Sequence, residues 1–233
     1  MSGNAPLVIL PGLTCSPAFF AETLAAFPGA LAIGDYYGGA DSLEGMADYA
    51  LALMPERAVV VGHSMGGRVA LEVWRKAPER VAGLALCDTG VNAVAAEERA
   101  KRYRVRDHGR AHGFEALIDL WLPPMIGPQL RDDPAFYGQV KAICLQAGQK
   151  VFEAQTEALL NRPEEESLLP GITCPVAAIT AEDDEWSPPA DHAAMAQAVP
   201  DGTLTVVPGV GHMLPVEDPA AFNAALAELL ARV

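Results

Sequence analysis

Along the first ninety residues, apolar runs short enough to be buried strands alternate with longer stretches whose apolar positions recur every three or four residues. A first strand is predicted at 6–10, running out into Pro11-Gly12-Leu13-Thr14. Ser16-Pro17 then opens a segment with Phe19, Phe20, Leu24 and Phe27 at helical intervals. A second strand is expected at 31–33, and Asp41-Ser42-Leu43-Glu44 has the pattern of a cap for a helix ending near Pro55. The third strand, 58–61, leads through Gly62-His63-Ser64-Met65-Gly66 into a helix that must stop before Pro78. A fourth, 81–87, runs into Asp88-Thr89-Gly90. No hairpin signal interrupts the alternation, so right-handed crossovers and a parallel sheet follow.

The pattern then changes. Residues 91–172 carry only helical periodicities broken by Pro and Gly, such as 114–122 ending at Pro123-Pro124, and 134–160. This stretch is expected to be a helical cap inserted into a core formed by 1–90 and 173–233. Alternation resumes with a strand at 175–180, a helix at 188–199, a last strand at 203–207 and a closing helix at 219–231.

The Gly62-x-Ser64-x-Gly66 turn joins a β-branched run to an apolar-periodic one, the setting of a nucleophile elbow. The chain must reverse within one residue there, so Ser64 is predicted to be strained, with only small neighbours, Gly62 and Gly66, tolerated two positions away. In an open parallel sheet, reactive groups gather where the strands end at their carboxyl side. Three such loops carry suitable residues: Glu182, Asp183, Asp184 and Glu185 after the fifth strand, Gly209-Val210-Gly211-His212 after the sixth, and Gly12-Leu13 after the first.

With these motifs in place the chain resembles the α/β-hydrolase superfamily, in particular serine-nucleophile members with a helical cap, such as carboxylesterases and pimeloyl-carrier methyl ester esterases. The resemblance implies an α/β-hydrolase fold, a mostly parallel sheet with helices on both faces. It also implies Ser64 as nucleophile, His212 as general base and then acid, Asp184 as the carboxylate orienting the imidazole, and the N–H groups of Leu13 and Met65 as oxyanion hole. Ala181, Asp184 and Pro188 match the spacing of the family's acid loop. Some members take the acid from the strand after the elbow helix, where this chain has Asp88. The oxyanion loop begins Pro11-Gly12 rather than the usual His-Gly. Only six residues precede Leu7, too few for the hairpin found in many members, so a sheet of about six strands is expected. His63 is read as structural, His108, His112 and His192 as surface residues, Glu182 and Glu185 as solvated neighbours of the acid, and Trp186 as a candidate pocket residue.

A serine excludes the branches that need a carboxylate nucleophile and leaves acyl chemistry. The reading is cleavage of a carboxylic ester, thioester or lactone of small to medium apolar character through an acyl-enzyme, with no metal or organic cofactor. Perhydrolase, carbon–carbon bond hydrolase and acyltransferase activities stay open on the same three residues, as does a non-catalytic ligand-binding role.

Composition adds limits. In 233 residues, 51% hydrophobic and 20% charged, there is material for one domain with an insertion. A net charge of −14 argues against nucleic acid and anionic membranes as partners. No apolar run reaches spanning length, no basic leader is visible, and the four scattered cysteines fit reduced thiols, so a cytoplasmic location is expected. Against this acidic background, residues 97–110 place six cationic side chains beside three acidic ones. If they are helical, Arg99, Arg102, Arg106 and Arg110 form one stripe. Arg102 and Arg106 are therefore candidate ligands for an anionic substrate or an acidic carrier protein, with a solvated surface as the plainer reading.

Overall fold

The structure, a computed structural model, describes residues 5–233. The expectation about a preceding hairpin falls mostly on residues outside that range. Six strands form one sheet: β1 (Leu7–Leu10), β2 (Leu31–Ala32), β3 (Ala58–His63), β4 (Val81–Cys87), β5 (Val176–Ala181) and β6 (Gly202–Val207), in the order β2-β1-β3-β4-β5-β6. Every neighbouring pair is parallel. The central strands are continuous apolar runs because both faces are covered: every residue of β1, β3, β4 and β5 is buried.

Before the fourth strand's end the helices are α1 (Ala21–Ala26), α2 (Leu43–Leu53) and α3 (Met65–Lys76). The segment between β4 and β5 contributes α4 (Glu98–His112), α5 (Phe114–Trp121), α6 (Pro128–Arg131), α7 (Pro134–Leu145) and α8 (Gly148–Leu160). After β5 come α9 (Pro189–Ala198), α10 (Leu214–Glu217) and α11 (Pro219–Leu230). Helices α1 and α11 pack together, as do α2 and α3, while α9 and α11 both cover β5 and β6. Ser42 caps α2, its hydroxyl accepting the Gly45 N–H.

Two local readings change. The segment after Ser16 is a 3₁₀ turn, Pro17–Phe20, before α1, because the backbone leaves helical geometry at Phe20 (φ −114°, ψ 23°), where the Phe19 and Phe20 rings are both buried. The run 134–160 is two helices, with Gly148 at φ +74° turning the chain between α7 and α8. Among the described residues no helix is long and apolar enough to cross a membrane.

The strand order reverses between β1 and β3. The chain leaves β1 toward one edge and returns at β3 to build toward the other, so their carboxyl ends flank the crevice where such sheets place ligands. Leu10 pairs with Gly62 there, which sets the loop after Leu10 beside Ser64.

Candidate active site

Ser64 is the residue between β3 and α3, with φ +55° and ψ −121°, a conformation that costs a non-glycine residue about 1–3 kcal/mol. Its surroundings hold it there. The Ser64 N–H donates to the Cys87 carbonyl at 2.8 Å, and its own carbonyl accepts the Gly67 N–H at 2.9 Å and the Thr89 hydroxyl at 2.7 Å. The flanking glycines are required by contact: a Cβ on Gly62 would overlap the Gly66 carbonyl, and one on Gly66 would overlap the Leu10 carbonyl.

His212 lies in the loop after β6 and bridges two groups. Its Nε2 is 2.8 Å from Ser64 Oγ and its Nδ1 is 2.8 Å from Asp184 Oδ2. These partners require the Nδ1–H tautomer, with Nε2 free to accept the serine proton. Asp184 Oδ1 accepts the N–H groups of Trp186 at 2.8 Å and Ser187 at 3.0 Å. Burial alone would raise the Asp184 carboxyl, but His212 and these N–H donors outweigh it and hold it below its ordinary value. The carboxylate therefore stays charged beside the imidazole. Glu217 fixes the histidine loop, its carboxylate accepting N–H groups from Gly127 at 2.9 Å, Gly211 at 3.0 Å and Met213 at 3.1 Å.

Asp88, the other candidate acid, is not bonded to His212. It is fully buried, and its Oδ1 accepts the Ala181 N–H at 3.0 Å, which ties the end of β4 to the start of the acid loop. Burial, reinforced by Asp184, pushes its carboxyl well above the usual range, favouring the neutral form. His63 is buried as well, its Nε2–H donating to the His212 carbonyl at 2.9 Å. Burial and then the neighbouring His212 pull its pKa down to about 3, which keeps the ring uncharged.

His192 departs from the surface position expected of it. It is fully buried on α9 and its Nε2 accepts the Thr89 N–H at 3.1 Å, placing it behind the threonine that holds the Ser64 carbonyl. A helix pattern alone does not say which face a lone histidine takes. His108 is half-buried and His112 exposed. Glu182 is exposed but also accepts the Gly209 N–H, and Glu185 is exposed.

Leu13 and Met65 sit beside Ser64, and neither N–H has an acceptor among the described residues; Met65 opens α3, so its N–H has no partner inside the helix. The neighbouring Thr14, at φ +60°, donates its N–H to Gln155 Oε1 on α8 at 2.8 Å. Gln155 was not visible as a site residue in the sequence: a polar residue within an amphipathic helix carries no motif.

A cavity of about 320 Å³ opens over Ser64 and His212. Leu13, Met65, Trp121 and Phe152 line one part, and Trp186, about half exposed, stands at its edge. Arg102 lines the cavity too, whereas Arg106 does not. Arg106 pairs with Asp107 and Glu157 and lies over the Tyr103 ring at 3.8 Å, Arg110 pairs with Glu153, and Arg99 bonds the Tyr103 hydroxyl and the Leu160 carbonyl. The stripe therefore mostly ties α4 to α8. Two cavity arginines that the helix stripe does not contain, Arg68 and Arg162, escaped the sequence reading; the only signal for Arg68 was a charge in an apolar helix four residues after Ser64.

The family model described as "Alpha/beta hydrolase family" matches residues 7–225. Over 223 residues the chain is 28% identical to a protein of Variovorax paradoxus (strain S110) named as the carbamate hydrolase RutD, covering 88% of this chain and 77% of that one. Among solved structures, a malate-bound thermophilic esterase from Thermogutta terrifontis is 27% identical, with a TM-score of 0.87 and coverage of 97% of this chain and 89% of that one. The enol-lactonase from Burkholderia xenovorans LB400 shares the fold at 21% identity and TM-score 0.85, covering 98% and 92%. The six-stranded parallel sheet, the elbow at its switch point and a match over nearly the whole length agree: the chain is an enzyme that belongs to the alpha/beta hydrolase family.

Proposed function

We propose that the protein cleaves a small carboxylic ester, or the related thioester or lactone, through an acyl-enzyme formed on Ser64. One observation carries this reading: the unbroken path from Ser64 Oγ through His212 to the charged Asp184, each link 2.8 Å long. In this scheme Ser64 Oγ attacks the carbonyl carbon while His212 Nε2 takes its proton. The developing oxyanion is met by the Leu13 and Met65 N–H groups. The same proton passes to the departing alcohol or thiol, leaving the acyl group on Ser64. A water molecule, deprotonated by His212, then attacks the acyl carbon, and His212 returns that proton to Ser64 Oγ as the acyl–serine bond breaks and the acid is released. Asp184 fixes the imidazole and stabilises its protonated form, and the apolar part of the cavity receives the substrate's hydrocarbon. The esterase name of the 27%-identical relative supports the same reaction class.

The test is hydrolysis of a panel of ethyl and thioethyl esters of increasing chain length. The native protein turns over the short members, and Ser64→Ala lowers kcat by about four orders of magnitude or more. A Ser64→Ala variant that keeps most of its activity contradicts the proposal.

A further inference from the structure

The cavity over Ser64 has a second, charged wall. Arg68, Arg102 and Arg162 all line it, and their side chains are only 8%, 19% and 7% exposed. Two carboxylates answer these three guanidinium groups. Glu165, wholly buried, accepts from Arg68 Nη1 at 2.9 Å; Glu98 is shared, its Oε1 accepting from Arg102 Nε at 2.8 Å and both its oxygens accepting from Arg162 at 2.7 Å. Burial pushes Glu165 up and Arg68 down, each against the attraction of the other. At the rim Lys101 and Asp191 balance, and Asp88 favours its neutral form. With Glu165 pushed up to about 8 and Arg68 still charged, the wall is left with at least one positive charge in excess, in a place where an uncompensated charge is costly.

Unused hydrogen-bonding capacity lines the same cavity. Arg162 is fully spent, holding Glu98 and the carbonyls of Asn92, Ala93 and Leu159. It acts as the frame that fixes Glu98, and Glu98 fixes Arg102 by its Nε alone. Both terminal nitrogens of Arg102 are without a partner among the described residues, as is Arg68 Nη2, which a Cβ on Gly90 would approach to 3.5 Å. Arg68 is four residues after Ser64, in the first turn of α3, a rise of about 6 Å. The Thr156 hydroxyl, on a side chain 1% exposed and lining the cavity, is also unpartnered.

A partly buried guanidinium fork with both terminal nitrogens open, an excess of positive charge and a spare hydroxyl match a planar anion. We propose that this wall binds a carboxylate on the substrate, so that the ester or lactone cleaved at Ser64 is one that also carries a free acid group. The inference rests on the ester-cleavage reading of the same corner and specifies its substrate class.

Two matched pairs test it, according to which side of the ester bears the acid: monoethyl glutarate against ethyl pentanoate, and 3-acetoxypropanoate against propyl acetate. In at least one pair the charged member has a kcat/KM higher by about tenfold or more. Arg102→Gln removes that preference, and Arg106→Gln, outside the cavity, keeps it. Equal or better use of the neutral member in both pairs, by a protein that hydrolyses esters, overturns the proposal, as does a preference that survives Arg102→Gln. Should no ester be turned over, the ester reading fails instead, and calorimetric titration of Ser64→Ala with glutarate judges the wall alone. Binding that disappears on adding Arg102→Gln supports it, and no binding overturns it.

Discussion

The corner around Ser64 and the charged wall facing it are built in different ways. In the corner, backbone groups hold nearly every polar side chain: Asp184 by two N–H donors, Glu217 by three, Asp88 by one, and Ser64 itself by contacts to β4 and the loop after it. In the wall, side chains hold the charged groups that face the cavity, with Arg162, itself tied to three backbone carbonyls, gripping Glu98, Glu98 orienting Arg102 and Glu165 anchoring Arg68. A corner of the first kind is fixed once the strands pair in register. A wall of the second kind depends on how α3, α4 and the chain after α8 meet. Changes in the corner should therefore disable the chemistry, and changes in the wall should alter which molecule is accepted.

The largest expected effect that separates the corner's own parts comes from its two acids. Asp184→Asn removes the charge that faces His212 and presents a donor in place of an acceptor, so kcat for a neutral ester should fall about 10³- to 10⁴-fold. Asp88→Asn can keep an oxygen toward the Ala181 N–H, and its rate should stay within about tenfold of the native protein. Steady-state kinetics on both variants, with circular dichroism to confirm folding, decides between them. A severe loss in Asp88→Asn beside an active Asp184→Asn would reverse the assignment.

A smaller effect separates corner from wall by acid sensitivity. The folded pKa of His63, about 3, lies below the ordinary value of 6.5, so as pH falls the unfolded chain takes up the proton first. The His63 contribution to stability is complete above pH 6.5 and is lost as pH drops toward 3. At pH 5 the loss is about 2 kcal/mol, from 1.36 kcal/mol per pH unit. His63→Gln, which keeps a donor for the His212 carbonyl but does not titrate, should flatten the fall in urea-unfolding stability between pH 7 and 5 by about one proton. Arg102→Gln, in the wall, should leave that slope as it is. An unchanged slope in His63→Gln would place the acid sensitivity elsewhere.

The same contrast explains what could be read in advance. The strands, their order of appearance and the Ser64, Asp184 and His212 loops were legible because continuous apolar runs and Gly or Pro punctuation mark buried parallel strands, and strand ends fix the loops. Leu13 and Met65 were named from the family resemblance alone, and the pairing of Leu10 with Gly62 sets the loop of Leu13 beside Ser64. Arg102 and Arg106, by contrast, are one turn apart on α4 and indistinguishable in sequence, yet Arg102 turns toward Glu98 and the cavity while Arg106 lies over Tyr103. Helix periodicity fixes which residues share a stripe but not where the neighbouring helix crosses it. The same lack hid Gln155, whose role exists only because α8 passes over Thr14, and His192, whose face of α9 happens to be the inner one.

The central claim is that the corner activates Ser64, and phosphonylation tests it most directly. Treatment of the folded protein with a fluorophosphonate, followed by intact-mass and peptide analysis, should give a single adduct on Ser64. Its rate of formation should fall by about three orders of magnitude or more in His212→Ala, because the histidine alone is positioned to take the serine proton. No adduct on Ser64 in a folded sample, or an adduct that forms equally fast without His212, would contradict the account.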